Sequence, residues 1–286
     1  MIYILFSVCC SVIVSILLKL ARRYKINVLQ AVSFNYVAAA ALGLFFFRPE
    51  PAQLLQAPPL LSLSLGIILP LLFLILASSV SKAGIVKTDI AQRLSLFIPI
   101  IAALYLFGES FNTLKIAGLV AGFTAIILIL MKHSGKSKSQ HFIFPILVFI
   151  GFGVVDVLFK QLASHLVIPY TTVLVSIFLI SFLVSILIVL YRIFIKREKF
   201  QLVNVLCGLI LGAFNFGNIL FYLKAHRALS AEPSTVFAAM NMGVIVAGSI
   251  VGVLIFKEKL SKTNYFGIAM ALLAILLITL SIHHAV

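Results

Sequence analysis

The chain is a succession of apolar runs, each long enough to cross a bilayer, separated by short breaks. A helix needs roughly 20 apolar residues to span the hydrocarbon layer, and ten such runs fit within the 286 residues. They lie at 2–20, 28–47, 61–80, 86–107, 114–131, 142–162, 169–194, 202–224, 234–255 and 265–282. Charge and proline collect in the breaks: Arg22-Arg23-Tyr24-Lys25, Arg48-Pro49-Glu50-Pro51, Pro58-Pro59, the polar segment 132–141, Lys196-Arg197-Glu198-Lys199 and Lys257 to Lys262. Lys82 to Thr88 is a weaker break. The runs are continuously apolar rather than alternating, which selects helices over a transmembrane barrel. The expected fold is therefore all-α and polytopic, with ten transmembrane helices and no space for a soluble domain.

Composition agrees. The chain is 63% hydrophobic and 10% charged, with a mean hydropathy of +1.24, whereas globular domains carry about 25% charge. This excludes a cytosolic enzyme, a secreted disulfide scaffold and a nucleic-acid-binding domain. A net charge of +15 on a soluble surface would suggest nucleic acid, but here Lys and Arg fall between the spans and report topology. Alternating the spans puts 17 of the 22 basic residues on one face and five on the other. The basic face is expected in the cytoplasm, so both termini are expected outside a plasma membrane of the bacterial inner type. The first run follows no basic region and precedes one, so it reads as a retained helix rather than a cleaved signal. Cys9, Cys10 and Cys207 lie in apolar runs and form no disulfide framework. The six histidines have no metal-ligand spacing. The chain has no G-x-x-x-x-G-K-[ST] loop. No cofactor or metal is expected, and any work must draw on gradients or exchange.

The chain also repeats itself. A shift of 149 residues lays Phe107-Gly108-Glu109 on Phe256-Lys257-Glu258, Gly118 on Gly267, Gln92 on Asn241 and Ser81 on Ser230. A shift of 141 lays Ser15 to Lys19 on Asp156 to Lys160. The expected organisation is a first five-helix repeat over 1–131, a linker at 132–141 and a second five-helix repeat over 142–286. Five is odd, so the second half enters the membrane from the opposite face. Inverted halves can exchange conformations and open one central site alternately to each side.

At these residues the chain resembles the ten-helix carriers of the drug/metabolite transporter superfamily, of the EamA type. The resemblance rests on Pro99 in the fourth span, Gly108-Glu109 at its end, Gly118 opening the fifth, and the link Ala228-Leu229-Ser230-Ala231-Glu232-Pro233-Ser234. The second copy departs from the pattern, with Gly248 in place of the proline and Lys257 before Glu258. The resemblance implies a secondary transporter, more specifically an exporter of small metabolites such as amino acids. It also implies cytoplasmic termini, against the charge count.

Ionisable groups inside a membrane cost about 2.5–3.5 kcal/mol near a helix centre and are functional candidates by default. Asp156 is the most deeply placed carboxylate, able to bind a proton or a substrate amine, with a salt bridge to Lys160 or Lys19 as the structural rival. Tyr3, Ser7, Ser11, Ser15 and Lys19 recur every four residues and form one polar stripe on the first span. Asn215, Asn218 and Tyr222 share one face of the eighth span, and two amides in an apolar segment need partners. Gln92 and Asn241 are repeat-related polar residues; Asn35 in the second span is a weaker candidate. Arg93 pairs locally with Asp89 or meets a substrate carboxylate, while Glu109 and Glu258 are expected to organise loops. The excess of Lys19, Lys160 and Arg93 over Asp156 favours a zwitterionic or anionic substrate. The pairs Gly118/Gly122, repeated as Gly267/Ala271, Gly208/Gly212 and Gly248/Gly252 have the small-residue spacing of close helix contacts within the chain, with a homodimer face on the fifth and tenth spans as the alternative. The expected partners are the bilayer, a small-molecule substrate and coupled protons. The rival readings are a lipid or lipid-carrier flippase, a membrane enzyme on lipid-linked substrates, which would need clustered interfacial Asp, His or Ser, and a non-transporting scaffold or receptor.

Overall fold

The structure is a computed structural model that describes residues 1–24, 26–130, 143–164, 168–255, 257 and 262–283. Segment 132–141 and Glu258 lie outside the described residues. Among those described, every regular element is a helix: α1 (Ile2–Arg23), α2 (Val28–Phe47), α3 (Pro51–Leu55), α4 (Pro59–Lys82), α5 (Ile85–Leu94), α6 (Phe97–Tyr105), α7 (Thr113–Leu130), α8 (Ile143–Ala163), α9 (Tyr170–Phe194), α10 (Leu202–Ala228), α11 (Pro233–Leu254) and α12 (Lys262–His283). Nine stretches have the length and hydropathy of membrane spans, and the shorter apolar helix at α7 makes a tenth.

Three features depart from the sequence reading. The span expected as one helix over 86–107 is interrupted at Ser95 and Leu96, between α5 and α6. Pro99 has no N–H to return to Ser95, and the Ile98 amide donates to the Ser95 carbonyl instead, three residues back (3.0 Å), which tightens the turn. Pro59 opens α4 rather than preceding it, because proline at a first helical turn forfeits no hydrogen bond. The weak break contracts to Ala83-Gly84, where Gly84 takes φ +95°, a conformation only glycine adopts without strain.

The bundle is apolar outside as well as inside. Leu5, Phe45, Leu60, Leu187, Leu254 and Leu276 are more than half exposed, a pattern that fits lipid rather than water as the surrounding solvent. The interior is held by small residues. A Cβ on Gly208 would lie 2.5 Å from the Ala31 carbonyl, and one on Gly212 would strike the Asn35 carbonyl, so α10 rests on the α2 backbone. Gly118 and Gly122 seat α7 on α12, against Ile278 and Ala274. The glycine face read as a dimer surface is thus covered within the chain. Further contacts run α2–α9, α1–α10, α4–α8, α4–α9, α1–α11 and α8 with α5 and α6.

Two polar clusters tie the ends. At the end holding both termini, Glu109 is 4% and Lys115 1% exposed. Lys115 donates to Glu109 (2.8 Å) and to Glu232. Glu109 also accepts from the Ser234 backbone N–H (2.8 Å) and hydroxyl (2.6 Å), capping the first turn of α11 with a carboxylate where the helix dipole favours one. Burial pushes the Glu109 carboxyl up, and the donors from Lys115 and Ser234 pull it back. At the opposite end, Asn27 caps α2 and takes its own N–H to Asn204 (3.1 Å), while Asn204 donates to Gln30 (2.8 Å). There Arg192 pairs with Glu198 and holds its carboxyl below the usual range.

Candidate functional site

The polar residues of α8 and α10 meet in a chamber of ≈180 Å³ at the centre of the bundle. Asp156 lies 13 residues into α8, beyond about three and a half apolar turns. The face of α10 read from the spacing is the face found: Asn215, Asn218 and Tyr222 all line the chamber with Asp156. The Tyr222 hydroxyl donates to Asp156 Oδ1 at 2.9 Å. Ser7, buried on α1, donates from its hydroxyl to Asn218 Oδ1 at 2.8 Å, which leaves the Asn218 amide NH₂ free to donate. Tyr36, Leu69, Phe73, Phe152 and Phe159 complete most of the wall.

A second cavity of ≈310 Å³ continues from the first, sharing Phe73, Phe152, Asn215 and Asn218 with it. Ser11, Ser15, Leu18, Val80, Thr88 and Gln92 line this vestibule. They lie toward the last turns of α1 and α4 and the first of α5, so the path leads to the bundle end where α7 finishes at Leu130 and α8 begins at Ile143. Toward the other end the chamber stops at aromatic rings. His226, fully buried, sits between Tyr222, edge-on at 78°, and Phe237, tilted at 59°, each ring centroid 4.7 Å away. Beyond them lies a separate surface pocket lined by Phe107, Lys160, Arg227 and Ser230.

The structure redistributes the cations. Lys160, one turn beyond Asp156, donates to the Ser230 carbonyl at 2.8 Å and lines the far pocket. Arg93 pairs with Asp89 at 3.6 Å; Asp89 lines the vestibule and Arg93 does not. Lys19 is exposed and lies on neither wall. Asn241 is also absent from both walls and returns its amide to the Phe237 carbonyl (3.1 Å). In place of the rival salt bridge, Asp156 accepts a hydrogen bond from Tyr222, and the expected cationic excess lies elsewhere. Asn35 is fully buried against α10 with an amide that makes no hydrogen bond among the described residues.

Tyr36 is the chamber residue the sequence reading missed. It is fully buried, lines the chamber, and its hydroxyl has no hydrogen-bond partner among the described residues. Its signal was weak, a lone tyrosine beside Asn35 in an apolar helix. Ser7 was on the first-span stripe, but its bond to Asn218 was not legible there.

The comparisons with known proteins follow this geometry. Residues 141–280 match the model of the EamA-like transporter family. The chain belongs to the EamA-like transporters of the drug/metabolite transporter superfamily. An uncharacterized protein of Haemophilus influenzae is 40% identical over 285 residues, covering 95% of each chain. A crystal structure of another protein matches with a TM-score of 0.72 over 97% of both chains at 16% identity, so this ten-span fold is one already solved. The chain is therefore a multi-pass membrane protein of a transporter family.

Proposed function

We propose that this EamA-like protein is a secondary transporter of small metabolites, acting as an exporter, with amino acids and related amines the first compounds to test. The observation that carries the reading is the chamber. A carboxylate, two amides and two phenols converge between α2, α8 and α10, deep in an apolar bundle, and a polar vestibule connects them to one end only. Polar groups inside a membrane are costly and mark substrate paths. Transporter sites of this kind lie near the midplane between repeats.

Alternating access between two inverted halves is part of the proposal, and the helix contacts support it. Exchange α1 with α8, α2 with α9, α4 with α10, α5–α6 with α11, and α7 with α12. The pair α2–α10 then becomes α4–α9, and α1–α10 becomes α4–α8. Likewise α1–α11 becomes α8 with α5 and α6, while α7–α12 and α2–α9 map onto themselves. A bundle with this exchange can seal either end in turn. Here the sealed end carries the Glu109–Lys115–Glu232 cluster.

Asp156 is the proposed coupling residue, trading a proton for substrate. The other titratable groups on its chamber are Tyr36 of α2 and Tyr222 of α10; Asp89 of α5 lies in the vestibule and Lys160 of its own helix points to Ser230. Uptake of pooled labelled amines, amino acids and organic acids into proteoliposomes, with and without a pH gradient, tests the proposal. Wild type should accumulate substrate and Asp156→Asn should lose gradient-dependent uptake; full pH-dependent transport by the mutant would refute the role of Asp156.

One observation favours a lipid or lipid-carrier flippase as the second reading. An apolar groove of ≈460 Å³ between α1, α2 and α10 shares Leu18 with the vestibule. The polar groups, however, line the chamber and not the groove. Lipid scrambling without small-molecule uptake in the same vesicles would decide for the flippase.

A further inference from the structure

We infer that the chamber takes an organic cation, a protonated amine on a compact apolar or aromatic body, in preference to a zwitterion or an anion. The inference rests on the chamber being the transport site and specifies the charge of what enters it.

The first observation is electrostatic. Asp156 is the one ionisable side chain other than phenols among the described residues on the chamber wall. The cations that would receive a substrate carboxylate are committed elsewhere or lie off the wall: Lys160 to Ser230, Arg93 to Asp89, and Lys19 exposed. A carboxylate entering the chamber would meet Asp156 in a low-dielectric space with no counter-charge, and like charges there repel strongly. An ammonium meets a partner.

The second observation is the set of open valences. Only Oδ1 of Asp156 accepts a hydrogen bond, from Tyr222. Oδ2 accepts none among the described residues. The Tyr36 hydroxyl, fully buried on the same wall, also lacks a partner. A buried hydroxyl without a hydrogen bond is costly, and a ligand ammonium with three donors answers both vacancies: one N–H to Asp156, another to the Tyr36 oxygen.

The third is the rest of the wall. Phe73, Phe152, Phe159 and the two tyrosine rings surround the space with Leu69 and Met240. Aromatic faces attract a desolvated cation and pack against an apolar body, and a ligand longer than the ≈180 Å³ chamber extends past Phe73 and Phe152 into the vestibule.

Three compounds with one indole body separate the charges: tryptamine, a cation; tryptophan, a zwitterion; and indole-3-propionate, an anion. The protein contains no tryptophan, so indole fluorescence reports the ligand alone. The full chain reconstituted in lipid vesicles would be titrated with each compound against protein-free vesicles. Tryptamine should bind at least tenfold tighter than tryptophan and tighter still than indole-3-propionate. Asp156→Asn should weaken tryptamine tenfold or more, and Tyr36→Phe severalfold. Equal or tighter binding of either carboxylate-bearing probe to wild type overturns the inference without relying on any mutant, as does tryptamine binding indifferent to Asp156→Asn, or no binding of any probe. Tryptophan binding that Asp156→Asn weakens would keep the chamber as the site and refute only the charge. Tryptamine binding without exchange of labelled tryptamine across proteoliposomes would support the charge and refute the carrier.

Discussion

Tyr36 and Tyr222 face the same chamber, and their hydroxyls are in opposite situations. Tyr222 donates to Asp156, while Tyr36 has no partner among the described residues. Removing a bonded hydroxyl strands its partner, whereas removing an orphan relieves a desolvation cost. Tyr222→Phe should therefore lower stability by about 1 kcal/mol and Tyr36→Phe should leave it unchanged or raised, read as melting midpoints in detergent. A fall with Tyr36→Phe as large as that with Tyr222→Phe would contradict the assignment. Lys115 is a harsher case. Lys115→Gln leaves Glu109 buried without its cation and should cost about 3 kcal/mol or more; Glu109→Gln in the same chain should restore part of that, since the carboxylate then left without its cation is only the partly exposed Glu232. What the sequence revealed at this scale follows from these cases. Asn215, Asn218 and Tyr222 were legible because a 3.6-residue period fixes which face a Cβ takes. Asp156 was legible because a carboxylate is costly in an apolar run and stays there only where it has a task or a partner. Arg93 takes the Asp89 pairing that its spacing offered, but the direction of Lys160 was not legible, because a sequence gives the depth of Cα and a Lys carries its charge on a long flexible stem. Lys160 uses that reach to leave the centre for Ser230.

Helix contacts give a sharper test, because two glycines of similar context differ in what surrounds them. A Cβ at Gly212 collides with the α2 backbone at Asn35, while a Cβ at Gly248 meets nothing within 4 Å. Gly212→Ala should force α2 and α10 apart and cost about 1–3 kcal/mol. Gly248→Ala should stabilise α11 by about 0.5–1 kcal/mol through helix propensity alone. Thermal unfolding of both variants checks the pair, and the same sign for the two would count against the described packing. The spacing of small residues was visible in the sequence at both positions, but it could not say which glycine has a neighbour; that depends on which helix lies opposite. Span ends show the same boundary between local and tertiary information. The second span, 28–47, is found residue for residue as α2, where Asn27 supplies a local cap. The eighth runs four residues past its expected end, to Ala228, because Lys224 and Arg227 stay helical with their cations over the rings of Tyr3 and Tyr170.

The whole molecule is open at one end and sealed at the other, and the two ends are chemically unlike. The sealed end buries Glu109 and Lys115, with the partly exposed Glu232 paired to Lys115. Under the 149-residue shift, Lys115 corresponds to Asn264 and Glu232 to Ala83, so the repeat offers no equivalent triad at the open end. That asymmetry favours the arrangement described, with the vestibule reached from the end where α7 finishes and α8 begins. Alternating the spans in the sequence assigns 17 of the 22 basic residues to that end, so by the positive-inside rule it is expected in the cytoplasm. Single-cysteine labelling with a membrane-impermeant reagent tests both conclusions, in a background where Cys9, Cys10 and Cys207 are replaced by Ala. Ser15→Cys in the vestibule should react only in inside-out vesicles, and Ser164→Cys in the far pocket only in right-side-out ones. The reverse pattern would give the molecule the cytoplasmic termini its family resemblance implies and show that its charge does not set its orientation. Adding Glu232→Gln removes one carboxylate from the seal while keeping the Lys115–Glu109 pair. It should make Asn218→Cys, on the chamber wall, reactive from the sealed side as well. If Asn218→Cys stays protected from that side, the triad is a structural brace, and the aromatic plug of Tyr222, His226 and Phe237 is what closes the path.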